Sequence, residues 1–287
     1  MIHLASLRIA SALFFLSAAA THAEAPKLFD FPGKYQGRSA QGMAIHEDTA
    51  FLLNDHGHCR VYHLPTQKLL GEFPLASAGA HNHANCASFG AEFPEGNDQF
   101  PAIYVAQCRA DRFCYVESVG NDGSKLIQTI KAETGTKADK NYDWVVDREQ
   151  KFIYTLAHQE SNFDKNGTNR VLITRFPLPS LKEREVTFKK SDILDEFTVE
   201  FANLAQGAVI RGGRLYLPVG LHEAAKEGAP HYKSREVIVV NLESKMIEKR
   251  IDVNADIKDE PEDAAFHGDR LLMYVGQAGG LYHIKGL

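Results

Sequence analysis

The sequence predicts an all-β chain, a five-bladed β-propeller of four-stranded antiparallel blades whose last blade is closed by the N-terminal strand. Three observations lead there. Helical periodicity is almost absent from the 287 residues, whereas short apolar or alternating runs recur with turn signals between them. A polar residue followed by small apolar ones opens a unit five times: QGMAI at 41, NCASF at 85, DWVVD at 143, QGAVI at 206 and EDAAF at 262. Four of these units run on through four strand-like segments. The last stops after three, and an unassigned run near the N-terminus, KLFDF, can supply the fourth and remove an exposed edge.

The elements follow in chain order. The opening MIHLASLRIASALFFLSAAATHA carries Arg8 in a short leader, an apolar stretch from Ile9 to Ala20 and the small-residue ending Thr21-His22-Ala23. It reads as a cleavable secretory signal over residues 1–23, leaving one propeller domain over 24–287 and a periplasmic or secreted protein. The apolar stretch is shorter than the about 20 residues a helical span needs and no second one follows, so no membrane span is expected after cleavage. Second strands are read at TAFLLN, AIYVAQ, FIYTLA, RLYLPVG and RLLMYVG, and third strands at RVYHL, FCYVESV, RVLITRF, REVIVVNL and LYHIK. KLLGEFPL, KLIQTIKA, EREVTFKK and MIEKRIDV have the alternation of half-exposed outer strands. Connections around 159–168, 190–203 and 222–234 are too long for hairpins and read as surface excursions. A sixth blade would have to hide around 190–203, and a β-sandwich would leave the five equivalent openings as coincidence.

In an up-and-down blade, the loop entering the innermost strand and the loop joining the second and third strands emerge on the same face. Gln41, Asn85, Asp143, Gln206 and Glu262 are therefore expected to ring the channel at one end. Segments NDHGH at 54, QCRADR at 107, AHQES at 157, GLHEA at 220 and GQAGG at 276 should lie beside them. This places His56, His58, His81, His83, His158, His222, Gln107, Arg109 and Tyr142 at the same mouth. A channel could be filled with Val or Leu. Here each blade instead presents a group able to hydrogen-bond or ionise, whether to hold loop backbone and water or to hold a ligand.

Composition narrows the ligand. Charges are mixed in sign and the net charge of -5 is modest, which excludes a basic footprint for nucleic acid and leaves a small polar molecule or a glycan as the expected partner. Asp143 and Glu262 could act as acid and base across a glycosidic bond. His83, Tyr142 and Arg109 could instead abstract a proton beside a uronate and steady the resulting charge, as in a polysaccharide lyase. The competing readings are that Asp143 caps a turn, that Glu262 pairs with a cation such as Arg109, and that the protein is a non-catalytic binding or scaffold propeller recognising a glycan or protein. No two candidates have local metal-ligand spacing, so the sequence names neither metal nor cofactor. GxSxG, Walker and HExxH patterns are absent, GQAGG reads as a hairpin turn, NGT at 166 as a turn, and Trp144 as packing between blades. Export permits disulfides: Cys108 and Cys114 bracket the loop RADRF and are expected to pair, leaving Cys59 with Cys86. Zinc ligation would compete, but no CxxC spacing is present.

QGMAI, HANCASFG with QFPAIYVAQC, FPLPSL with SDILDEF, LAQGAVIRGGRLYLPVG and EPEDAAFHGDRLLM together resemble a group of uncharacterised exported bacterial β-propeller proteins of the Bacteroidetes type. The likeness spans nearly the whole mature chain and implies the propeller fold. It also implies a shared channel-mouth site, here Gln41, His83, Asn85, Gln206 and Glu262. Members of that group lack the cysteines, which makes Cys59, Cys86, Cys108 and Cys114 a local addition outside any site.

Overall fold

The structure, a computed structural model, describes residues 20–109, 111–138, 141–161, 168–221 and 234–287. Two N-terminal strands, β1 (Ala20–His22) and β2 (Lys27–Phe29), precede the first blade. That blade holds β3 (Lys34–Tyr35), β4 (Arg38–His46), β5 (Thr49–Asn54), β6 (His58–His63) and β7 (Lys68–Pro74). Blade two holds β8 (Cys86–Phe89), β9 (Ile103–Ala106), β10 (Cys114–Val119) and β11 (Ser124–Glu133). Blade three begins with β12 (Tyr142–Asp147), β13 (Phe152–Ser161) and β14 (Thr168–Pro177); the chain then forms β15 (Glu185–Lys189) before β16 (Asp195–Ala202). Blade four holds β17 (Val209–Arg211), β18 (Arg214–Val219), β19 (Glu236–Asn241) and β20 (Met246–Asp252). Blade five holds β21 (Pro261–His267), β22 (Arg270–Val275) and β23 (Leu281–Ile284), and β2 pairs antiparallel with β23 as its fourth strand. The five expected blades and their closure by the KLFDF segment are thus present, and among the described residues neither a sandwich nor a sixth blade is formed.

Burial explains the strand patterns. Inner strands lie between neighbouring blades and near the axis, so CASF of β8 and YDWVVD of β12 are buried at every position instead of alternating. Outer strands face solvent on one side, and β20 alternates accordingly. The core is shared among the interfaces between blades. Phe51, Phe89 and Phe100 fill the first interface, Met43, Leu52, Leu272 and Tyr274 the closing one, and Trp144 is fully buried with its Nε1 donating to the Arg112 carbonyl at 2.9 Å.

One strand assignment is corrected. EREVTFKK does not finish blade three: β15 crosses to blade two and pairs parallel with β11, from Thr129 opposite Glu185 to Glu133 opposite Lys189. The fourth strand of blade three is β16, DEFTVEFA, antiparallel to β14 and drawn from the region read as a surface excursion. Both segments alternate like outer strands. What separates them is the length of chain needed to turn back antiparallel, and β16 has its partner only after the detour through β15. A comparable parallel addition, β1 on β20, widens blade four.

The cysteine pairing is also corrected, because all four thiols are free and buried. Cys86 and Cys114 both stand opposite Ala106, one strand to each side of β9. That puts them roughly 9–10 Å apart, two strand spacings, beyond the about 7 Å that a disulfide can bridge. Cys59 packs with Phe73, Val105 and Val119, away from Cys86, whose Sγ donates to the Ala208 carbonyl at 3.4 Å. Cys108 adopts a left-handed turn (φ 54°), and its carbonyl accepts from Tyr142 N–H of blade three at 3.1 Å.

Candidate functional site

The inner-strand openings meet around the axis. Between blades one and two the Gly42 N–H donates to the Ala84 carbonyl at 2.8 Å, and between two and three Asn85 Nδ2 donates to Asp143 Oδ1 at 3.0 Å. Asn141 Nδ2 reaches the Ala205 carbonyl at 3.5 Å, Gly207 N–H donates to the Glu262 carbonyl at 2.6 Å, and Gln41 Nε2 donates to Glu262 Oε2 at 3.1 Å. The contacts run through all five junctions and close a ring. Gln206 joins it through Glu260, to which its Nε2 donates.

The stretch HNHANC divides its work residue by residue. His81 is exposed. Asn82 builds the turn, donating to the Ser77 carbonyl and accepting from Ala84 N–H at 3.1 Å, so that Ala84 (φ 43°) can hand its carbonyl to blade one. His83 is half-buried beside His56 and Arg109, Asn85 holds Asp143, and Cys86 crosses the axis to blade four. The loop is anchored from behind by Glu117 of β10, whose carboxylate accepts from Ala76 N–H at 2.9 Å, Ser77 N–H at 3.0 Å and the Ser77 hydroxyl.

Burial sets the protonation states. It pushes the Asp143 carboxyl up to about 7 against the opposing Asn85 amide and Arg109 guanidinium. Burial and then the neighbouring Asp259 push Glu260 up to about 7, opposed by Gln206 and Arg109. Glu262 is driven well above the usual carboxylate range by burial and then by Glu260, Asp259, Asp263 and Asp55. Its partner is the Gln41 amide and not the cation anticipated for it. His83 is lowered to about 3 by burial, Arg109 and His56, and His158 to about 4 by burial alone. Near neutral pH the inner wall therefore carries amides and neutral imidazoles beside carboxyls that burial holds towards their protonated forms, Asp143 and Glu260 titrating there, with Arg109 exposed at the rim.

Several of these side chains use one polar atom on the protein and keep another without a protein partner. Gln41 Oε1, Asn85 Oδ1, Asp143 Oδ2 and Gln107 Nε2 are buried and unpaired, as are both ring nitrogens of His158 within the third blade's second strand. Gln107 accepts from Phe113 N–H at 3.2 Å through its other amide atom. Tyr142 stands apart: its ring packs 5.8 Å from Trp144 and lies under the Arg112 guanidinium, turned into the interface between blades. His222 and the NGT turn at 166 lie outside the described residues, apart from Thr168 at the head of β14. Among the described residues no group of three or more His, Cys, Asp and Glu side chains is placed to hold a metal ion.

Asp263 is the structural member that sequence reading missed. Its Oδ2 accepts from Met43 N–H at 2.8 Å and Ala87 N–H at 2.9 Å, and its Oδ1 from Ala264 N–H at 2.8 Å, so one side chain joins blades five, one and two. Burial pushes this carboxyl up and the three N–H donors oppose that. Space for it depends on Gly207, where a Cβ would come within 2.0 Å of Asp263 Oδ1. Gly276 of the GQAGG turn likewise leaves room for Glu262, whose Oε1 would lie 2.5 Å from an added Cβ. Paired glycines opposite paired acids were the available signal.

No family model matches the chain, and no curated protein matches it. Among solved structures it is similar to the computationally designed Ika8 protein, at 8% identity over 86% of this chain and 70% of that one, with a TM-score of 0.36. It is also similar to glutaminyl cyclase of Myxococcus xanthus, at 9% identity over 93% of this chain and 97% of that one, with a TM-score of 0.44. Likenesses this distant do not bear on activity. Among the described residues no helix is long and apolar enough to cross a membrane.

Proposed function

We propose that this is an exported ligand-binding propeller that takes a small neutral polyhydroxylated molecule, of the carbohydrate class, at the ringed end of its channel. The observation that carries the reading is the set of half-used side chains. Gln41, Asn85, Asp143 and Gln107 each spend one atom on the fold and keep a second unpaired. Buried polar atoms require partners, and ligand sites fix orientation with a few such convergent groups. Sugar hydroxyls both donate and accept, so they suit a wall of mixed donors and acceptors better than a dense ion would. The leader over residues 1–23 supports export, and the openings shared with exported bacterial propellers support placing the protein among them.

A hydrolytic version of the same site has one specific support: Asp143 and Glu260 are held near 7, where a carboxyl can give and take protons at neutral pH. Calorimetric titration of the protein from Glu24 onward with neutral mono- and oligosaccharides, run beside reducing-end and unsaturated-uronate assays, separates binding from turnover. Binding should appear with at least one sugar and weaken about tenfold or more in Asn85→Ala and in Gln41→Ala, one buried hydrogen bond to a ligand being worth that much. Asp143→Asn and Glu260→Gln, each still folded, should abolish any turnover. If no sugar binds, or the amide variants bind as well as the parent, the ring is a structural polar plug.

A further inference from the structure

The other end of the channel is open. A cavity of about 460 Å³ lies there. Its wall is made by the far halves of all five inner strands, with Ala44, Ala87, Ser88, Val146, Ile210 and Ala264 among the lining residues. Small side chains leave the space. Its size falls in the range of small-molecule pockets, roughly 300–1,000 Å³. Ser88 Oγ accepts from Val146 N–H at 3.2 Å, which leaves its hydroxyl proton to donate inward.

The rim carries charges in two conditions. Arg211 is engaged, paired with Asp269 at 2.7 Å and lying 4.7 Å over the Phe266 ring, and Glu149 accepts the Gly212 N–H at 3.0 Å. Arg148 and Glu47 line the same cavity and are exposed, and among the described residues neither side chain has an ion pair or hydrogen bond. They come from the first hairpins of blades three and one, and both act electrostatically on the His46 imidazole. One free cation and one free anion therefore stand over an apolar funnel.

We propose that this end is a second binding site, for a small zwitterion with an apolar side chain, the hydrophobic α-amino acid class. The ligand carboxylate meets Arg148, its ammonium meets Glu47, and its side chain occupies the space between the alanines. A purely apolar ligand would leave both charges unused, and a singly charged one would face repulsion from the like-charged rim residue. The inference does not depend on the ring at the opposite mouth.

The test is titration of the folded protein with L-leucine and L-phenylalanine, followed by calorimetry. 4-Methylpentanoate, which lacks the ammonium, and isoamylamine, which lacks the carboxylate, serve as controls. Saturable binding of at least one amino acid is expected, with both controls weaker by about tenfold or more. Arg148→Glu and Glu47→Gln, both at exposed positions and each checked for an unchanged melting temperature, should each weaken the amino acid by a similar factor. Absence of saturable binding by both amino acids, equal binding of either control, or unchanged affinity in both variants overturns the proposal.

Discussion

Asp143 is a carboxyl held in apolar surroundings by one amide, and its behaviour with pH follows from that. Its folded value of about 7 lies above the ordinary 3.8, so between those values the folded chain keeps a proton that the unfolded chain has released. Stability contributed here is complete at low pH and is lost as pH rises towards 7. Asp143→Asn keeps the Asn85 contact and cannot ionise. The stability of that variant relative to the parent should therefore rise by up to about 1.4 kcal/mol per pH unit from about pH 4 to 7 and then level off. Urea titrations at a series of pH values check this, and a flat difference would mean that Asp143 is ionised in the fold. Asp263→Ala tests a different kind of residue: it strands the N–H groups of Met43 and Ala87, and a loss of about 2–4 kcal/mol is expected by the same measurement. Gln41, Asn85, Gln206 and Glu262 were legible because a polar side chain stood at the head of a run of small apolar ones five times over. Asp263 was not, because a second acid directly after Glu262 looks like any other charged turn residue until its two donors from other blades, Met43 and Ala87, are seen.

At the scale of the element, the loop over residues 76–85 is positioned by a side chain from the next blade. Glu117 is fully buried and accepts three hydrogen bonds from Ala76 and Ser77. Glu117→Ala leaves those donors unpaired and should destabilise by about 2–4 kcal/mol, with faster amide exchange over residues 76–85 than elsewhere in blade two. Uniform acceleration through the whole blade would show that Glu117 supports the sheet and not the loop. Inner, second and third strands could be read from the sequence, since burial on both faces demands unbroken apolar runs. The outermost layer could not. EREVTFKK and DEFTVEFA alternate in the same way, and which of them joins blade two and which returns to blade three is decided by chain path and by parallel pairing with β11, neither of which marks the residues. Cysteine spacing misled for a related reason: closeness in the chain says nothing about which side of a strand, or which interface between blades, a thiol enters.

For the whole molecule, closure is the decisive feature. The last blade is completed by β2, so residues 27–29 and 281–284 are held in one sheet, with Lys285 N–H donating to the Glu24 carbonyl beside it. A chain beginning at Glu24 keeps these contacts. One beginning after Phe29 loses the strand and bares the edge of β23, and it should melt at a markedly lower temperature and aggregate on heating. With all four thiols free, reductant should leave the melting temperature of the protein unchanged, whereas a drop would reveal a bridge.

Amide hydrogen exchange on the free and sugar-saturated protein tests most directly whether distant segments of all five blades form one binding end. Protection should rise together at residues 41–43, 83–86, 106–108, 142–143, 206–207 and 262–264, drawn from every blade. Protection confined to outer strands, or to a single blade, would contradict a shared site at the axis.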